Sequence, residues 1–361
     1  MLVDIIAGSR TDILRLASVL EAIQYEQKRG TRLGYRFIYT GKDIDINLDK
    51  DLFNQLSISR PNIYLDIDNN EESTQMAAAI SRYARVLSKN KPDLVLLTGQ
   101  TATTAGCAIA ARKIPDIKLG ILHAGIRTDN REYSAELNRI ISDAVADFYF
   151  TSSQIANENL RINGVPDENI FFIGNTYVDA VYKVKKQFSI PEFWDTLGLR
   201  KDGYAMLILN KPYNISYPPN LKNLIVTCLK QLKNTPIIMV VNPETEKVLQ
   251  KLSIQAHNLH IVKRLGFRQL GYLLQNAKAV LTDSSTIQEH CAVLMTPTLT
   301  LYPYCECPET IEAGTNRLAG EELFDIEKAI GNIHTGNNKG NIPYLWDGKA
   351  AERVLAVLKR L

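Results

Sequence analysis

Short apolar runs separated by helical patterns recur along the whole 361-residue chain, and this alternation constrains its fold more than any other feature. LVDIIAG has the pattern of a strand, and TDILRLASVLEAIQYEQKRG that of an amphipathic helix stopping at Gly30. YRFIYTG, DLVLLTG, LGILHAG, DFYFTSS and NIFFIGN are further strands, with TATTAGCAIAARK, SAELNRIISDAVA and SQIANENLRING as helices among them. Uninterrupted Val/Ile/Leu strands are buried on both faces, and intervening helices of roughly 10–15 residues supply crossovers. The pattern therefore predicts βαβ units and parallel sheets.

The rhythm pauses at DAVYKVKKQFSIPEFWDTLGLRKDGY and resumes as AMLILN, PIIMVV, LHIVKR, AVLTDS and TPTLTLY. The expected architecture is α/β: two Rossmann-like domains, residues 1–185 and 200–345, with parallel sheets facing a central cleft. A terminal helix in 346–361 is free to cross back to the first domain. Ligands in such folds gather at the carboxyl ends of the strands. NIHTGNNKGNIP, residues 332–343, has the composition of a polar loop.

Composition excludes several classes. With 42 basic and 39 acidic residues the net charge is +3, so no global field invites nucleic acid. No apolar run approaches the roughly 20 residues that span a bilayer, and MLVDIIAGSRTDILRL lacks the basic start of a signal peptide. The odd, scattered set of five cysteines suits a reducing compartment, so a soluble cytoplasmic protein is expected. Cys305 and Cys307, with Cys291 upstream, lack the second ligand pair of a zinc site. His123, His257, His260, His290 and His334 show no metal-ligand spacing. Neither metal nor nicotinamide is expected; no GxGxxG and no P-loop is present.

Two strand-to-helix corners stand out. In AGSRTD, Gly8 permits a tight turn, Ser9 or Thr11 can cap the helix, and Arg10 projects at a helix N-terminus suited to phosphate. A solvated arginine beside a cap is the alternative. In VLTDSSTIQEH, Ser284, Ser285 and Thr286 set hydroxyls and backbone N–H groups at another N-terminus, with His290 one turn on and facing the same way as Thr286. An ordinary N-cap is the alternative there. Two such corners on opposing domains point to a diphosphate held across the cleft. GILHAGIRTDNREYSAELNR adds a third feature: His123 stands where a strand gives out, as an acid/base, a binding group, or a neutral histidine bonded to the next loop.

These corners resemble the non-hydrolysing UDP-N-acetylglucosamine 2-epimerase family, whose fold is that of GT-B glycosyltransferases. AGSRTDILRLASVL, PDLVLLTGQTATT, LHAGIRT, ELNRIISD, FFIGNTYVDAV, LTDSSTIQE, CPETIEAGTNRLAG and DGKAAERVL follow in the family's order almost end to end. The resemblance implies the family reaction. A base removes the sugar C2 proton, UDP leaves C1 to give a glycal, and UDP re-adds with the proton returned to the opposite face. That chemistry needs proton-transfer groups on both ring faces and cations for the diphosphate.

Carried over by position, the resemblance sets Gln100 where the family has an aspartate, and His123 and Ala135 where it has glutamates. Glu136 alone remains of a carboxylate pair, and Lys211 replaces a histidine. Ser285 and Thr286 stand for glycines, His290 for the ribose-binding glutamate, and Cys307 for an arginine. Arg10 is kept, and Arg15 replaces a lysine. The implied candidates are therefore His123 and Lys211 for catalysis. Arg10, Arg15, Gln100, Ser284, Ser285, Thr286 and His290 are the candidates for holding a UDP-linked sugar. Three functions stay open: a 2-epimerase with rearranged acid/base groups, a GT-B glycosyltransferase, or a non-catalytic sugar-nucleotide-binding homologue. A homodimer and a setting in surface-polysaccharide precursor metabolism are further implications of the family.

Overall fold

A computed structural model describes residues 1–43, 51–68, 71–252, 254, 256–263, 265–320, 322–332 and 340–361. Arg264, His334 and most of the polar loop 332–343 lie outside the described residues. The chain divides into two compact units. Met1–Lys183 with Tyr344–Leu361 forms the first, and Val184–Pro343 the second.

The first unit is built on seven strands: β1 (Leu2–Ala7), β2 (Gly34–Tyr39), β3 (Ile63–Tyr64), β4 (Leu94–Thr98), β5 (Lys118–Leu122), β6 (Phe148–Thr151) and β7 (Ile170–Phe172). They are all parallel, in the order β3-β2-β1-β4-β5-β6-β7. The second unit has six: β8 (Ala205–Ile208), β9 (Ile237–Val241), β10 (Leu259–Lys263), β11 (Ala279–Thr282), β12 (Thr298–Thr300) and β13 (Asn316–Leu318). These too are parallel, in the order β10-β9-β8-β11-β12-β13. The strand order reverses between β1 and β4 in one sheet and between β8 and β11 in the other. Those reversals are the switch points where such sheets take ligands.

Central strands are sealed on both faces: every residue of β4, β8 and β9 is buried. The one acid among the described strand residues is Asp4, fully buried within β1. Its β2 neighbour Arg36 grips both oxygens, at 2.6 and 2.7 Å, and the Tyr83 hydroxyl adds a 2.7 Å bond. These three donors satisfy the buried oxygens. The terminal helix Ala350–Leu358 belongs to the first unit. Asp179 accepts from the N–H groups of Ala350 and Ala351 at its start, at 3.2 and 2.7 Å.

On one face of the first sheet, helices Glu72–Lys89 and Ala102–Arg112 approach closely because Gly106 has no side chain. A Cβ there would lie 2.7 Å from the Met76 carbonyl oxygen and 2.9 Å from Ala79 Cβ. Gly106→Ala is expected to lose about 1–3 kcal/mol by overpacking, read as a lower urea midpoint. An unchanged midpoint would mean the helices separate freely.

Candidate functional site

The corner after β1 is organised by Asp12 rather than by Arg10. Ser9 caps the helix Arg10–Lys28, accepting from the Asp12 N–H at 3.2 Å. The fully buried Asp12 carboxylate accepts from Gly8 N at 2.9 Å, from Gln100 Nε2 at 2.9 Å and from the Thr98 hydroxyl. Burial raises its pKa against the pull of these donors. On its other side, Gln100 Oε1 accepts from Arg15 Nη1 at 3.0 Å. A glutamine amide fits this place because one end donates and the other accepts. A carboxylate at position 100 would set oxygen against oxygen at Asp12. Arg15 is buried, whereas Arg10 opens the helix half-buried.

His123 follows β5 with φ at +57°, and its ring is buried. Nε2 lies 2.9 Å from the Thr176 hydroxyl, and Nδ1 is enclosed without a hydrogen-bond partner. Burial, and then the Arg15 guanidinium, hold its pKa well below 6.5. A ring that resists protonation is a weak proton acceptor at neutral pH.

The following loop is stapled to the helix Ser134–Val145. Asp143 accepts from Gly125 N at 3.1 Å and pairs with Arg127 at 2.8 Å. Glu136 Oε2 accepts from the Thr128 N–H and hydroxyl at 3.0 and 3.1 Å, and from Arg139 at 3.0 Å. Glu136 is thus committed to holding the loop.

In the second unit Asp283, just past β11, plays the part of Asp12. Its buried carboxylate accepts from the N–H groups of Asn210 and Lys211, at 2.8 and 3.0 Å, and from Asn214 Nδ2 at 3.0 Å. Lys211 sends its ammonium to Glu306 at 3.0 Å and lies over the Tyr302 ring at 4.7 Å, both inside the unit. Ser284 is the N-cap residue of the helix Ser285–Leu294, but its hydroxyl faces Thr286 Oγ1 at 3.1 Å instead of bonding the helix backbone. Ser284, Ser285 and Thr286 stay partly open.

His290 is fully buried, between Phe188 and Phe267, with ring centroids 6.0 and 5.4 Å away. That environment lowers its pKa to about 3. The five cysteines are unpaired thiols, and burial pushes Cys305 up to about 12. Among the described residues no group of three or more His, Cys, Asp or Glu could hold a metal ion. Among them, no helix is long and apolar enough to cross a membrane.

Two α/β units, each with a doubly wound parallel sheet and a polar corner at its switch point, define the GT-B-like class. A wall teichoic acid polymerase, at 13% identity and a TM-score of 0.57, shares the fold alone. The match to UDP-N-acetylglucosamine 2-epimerases extends over residues 26–359, and the chain belongs to that family. The UDP-N-acetylglucosamine 2-epimerase of Methanocaldococcus jannaschii is 28% identical over 99% of both chains. Its crystal structure in complex with UDP-GlcNAc and UDP superposes at a TM-score of 0.91, covering all of both chains. A UDP-N-acetylglucosamine 2-epimerase homolog of Methanococcus maripaludis is 29% identical, again over 99% of each.

The sequence patterns led to Arg10, His123, Ser284–Thr286 and His290, and the family resemblance added Arg15, Gln100 and Lys211. The structure joins Arg15 to Gln100 directly and sets Lys211 beside the residue preceding Ser284. Asp12, Thr176 and Asp283 lie within the quoted motifs, and Glu306 just before CPETIEAGTNRLAG, but none was given a role. The signal for the two aspartates was an acid at a strand-to-helix corner, where exposed backbone N–H groups want an acceptor.

The His290 environment sets a pH dependence. An unfolded imidazole binds a proton near pH ~6.5, the folded one near about 3. Between these values the unfolded state holds more protons. The stabilisation is complete above the upper value and is lost as pH falls, at about 1.4 kcal/mol per unit. Going from pH ~7 to ~5, the native protein is expected to lose about 2 kcal/mol more than His290→Gln in urea unfolding. Buried carboxylates with raised pKa act the opposite way but cancel in that difference. Parallel pH profiles would show that His290 titrates normally.

Proposed function

We propose that this protein binds a UDP-linked N-acetylamino sugar and does not carry out the family's C2 proton exchange. The observation that carries the first half is the end-to-end likeness, at 28% identity and a TM-score of 0.91, to a structure holding UDP-GlcNAc and UDP. Support for the second half comes from the state of the inherited acid/base positions. Gln100 is tied between Asp12 and Arg15, and Glu136 between Thr128 and Arg139. His123 is buried with its pKa depressed, and Lys211 is paired with Glu306. General acid/base groups each contribute roughly 10²–10⁴-fold, so losing them on both faces of the sugar leaves little of the reaction.

In this reading Ser284, Ser285 and Thr286 receive the diphosphate through hydroxyls and helix N–H groups. His290 acts through packing, not through contact with ribose. A sugar-transfer activity on the same architecture is the second reading. It is favoured by the hydroxyl-rich Ser284–Thr286 turn, which can hold a departing UDP without any base at the sugar.

Calorimetric and thermal-shift titrations with UDP, UDP-GlcNAc and GDP-mannose test the binding claim. Saturable binding of the two UDP ligands is expected, with stabilisation of about 2.7 kcal/mol at a concentration near 100 Kd. Ser284→Ala with Thr286→Ala should weaken both UDP ligands by the same factor. Failure of every UDP ligand to bind rejects the reading.

A further inference from the structure

We infer that Thr176 sets the protonation pattern of His123, confining the ring proton to Nδ1 and leaving the ring no lone pair for a substrate proton. The inference deepens the reading above and explains how a histidine sits at a proton-transfer position without being a base.

Few donors and acceptors meet in this enclosed place. Nε2 and the Thr176 hydroxyl are 2.9 Å apart, and both side chains are buried. The hydroxyl has one proton to place, and a neutral imidazole has one nitrogen that donates and one that accepts. If Nε2 carried the proton and donated to Thr176, the hydroxyl proton and the Nδ1 lone pair would both go unmet. If the hydroxyl donates to Nε2, only the Nδ1 proton lacks a partner. Each unmet buried polar group is destabilising, so the second arrangement, with one such group against two, wins.

The backbone around the pair allows little rearrangement. His123 is held at φ +57°, a region that disfavours side-chain-bearing residues, between β5 and the Asp143-bound Gly125. Thr176 opens the helix Thr176–Lys185, and its carbonyl accepts from Ser18 Oγ at 3.1 Å. Ring and hydroxyl are thus carried by two anchored elements. The nitrogen that accepts is saturated, and the nitrogen that is left carries hydrogen. Thr176 is a positioning residue: it acts on a ligand only through the imidazole it orients.

Nitrogen-15 spectra of the ligand-free protein labelled at histidine test this, with His123→Gln supplying the assignment. A protonated-type Nδ1 and an imine-type Nε2 are expected. Thr176→Ser, which keeps the hydroxyl, should preserve that pattern. Thr176→Val, which removes it, should raise the Nε2–H population several-fold. A wild-type ring protonated at Nε2 overturns the inference even if the valine variant fails to fold, as does a valine variant that folds with its tautomer unchanged. The measurement needs no ligand. A negative result here leaves UDP binding standing, and a failure to bind UDP leaves the tautomer standing.

Discussion

In each unit a buried carboxylate ties together the two strands at the switch point, and the candidate site depends on it. Asp12 links the end of β1 to the end of β4 through Gly8, Thr98 and Gln100. Asp283 links the end of β11 to the residues after β8 through Asn210, Lys211 and Asn214. A parallel sheet leaves its carboxyl-end N–H groups unpaired wherever the strand order reverses. An acceptor with two oxygens satisfies several of them at once. Burial opposes the charge, raising the pKa of both groups, and the donors offset it. What results at each corner is a rigid turn, with Arg15 and Gln100 fixed in one and Lys211 and Ser284 in the other.

That rigidity bears on chemistry. A residue type at an inherited position does not decide function by itself; the partners already holding it do. The family resemblance implies an aspartate where Gln100 stands. The Gln100 amide reconciles an anion with a cation three residues apart on one helix. Glu136 spends its acceptor capacity on Thr128 and Arg139. Lys211 retains a cation, matched inside its own unit by Glu306 and Tyr302.

Much of the fold was legible in the sequence because burial on both faces writes itself as unbroken apolar runs. β1, β4, β8, β9 and β11 fall within the runs quoted for them, and β5 begins one residue before its run. The edge strands β3 and β13 went unseen: two and three residues long, they carry too little side-chain pattern to separate from loops. Candidate residues stand out in the sequence where Gly, Ser or Arg interrupts a corner. His290 was placed by its helical phase with Thr286, but phase reports direction and not depth; Phe188 and Phe267 enclose it from elsewhere in the chain. Thr176 and Glu306 lie 53 and 95 residues from the groups they bond, a distance over which local pattern carries no information.

The account separates holding a sugar nucleotide from moving its proton. The most direct measurement is deuterium uptake at C2 of UDP-GlcNAc, followed by proton NMR in heavy water at saturating enzyme. The account predicts a retained C2 proton signal while the ligand resonances report binding. Deuterium entering at C2, with UDP-ManNAc accumulating, would contradict it.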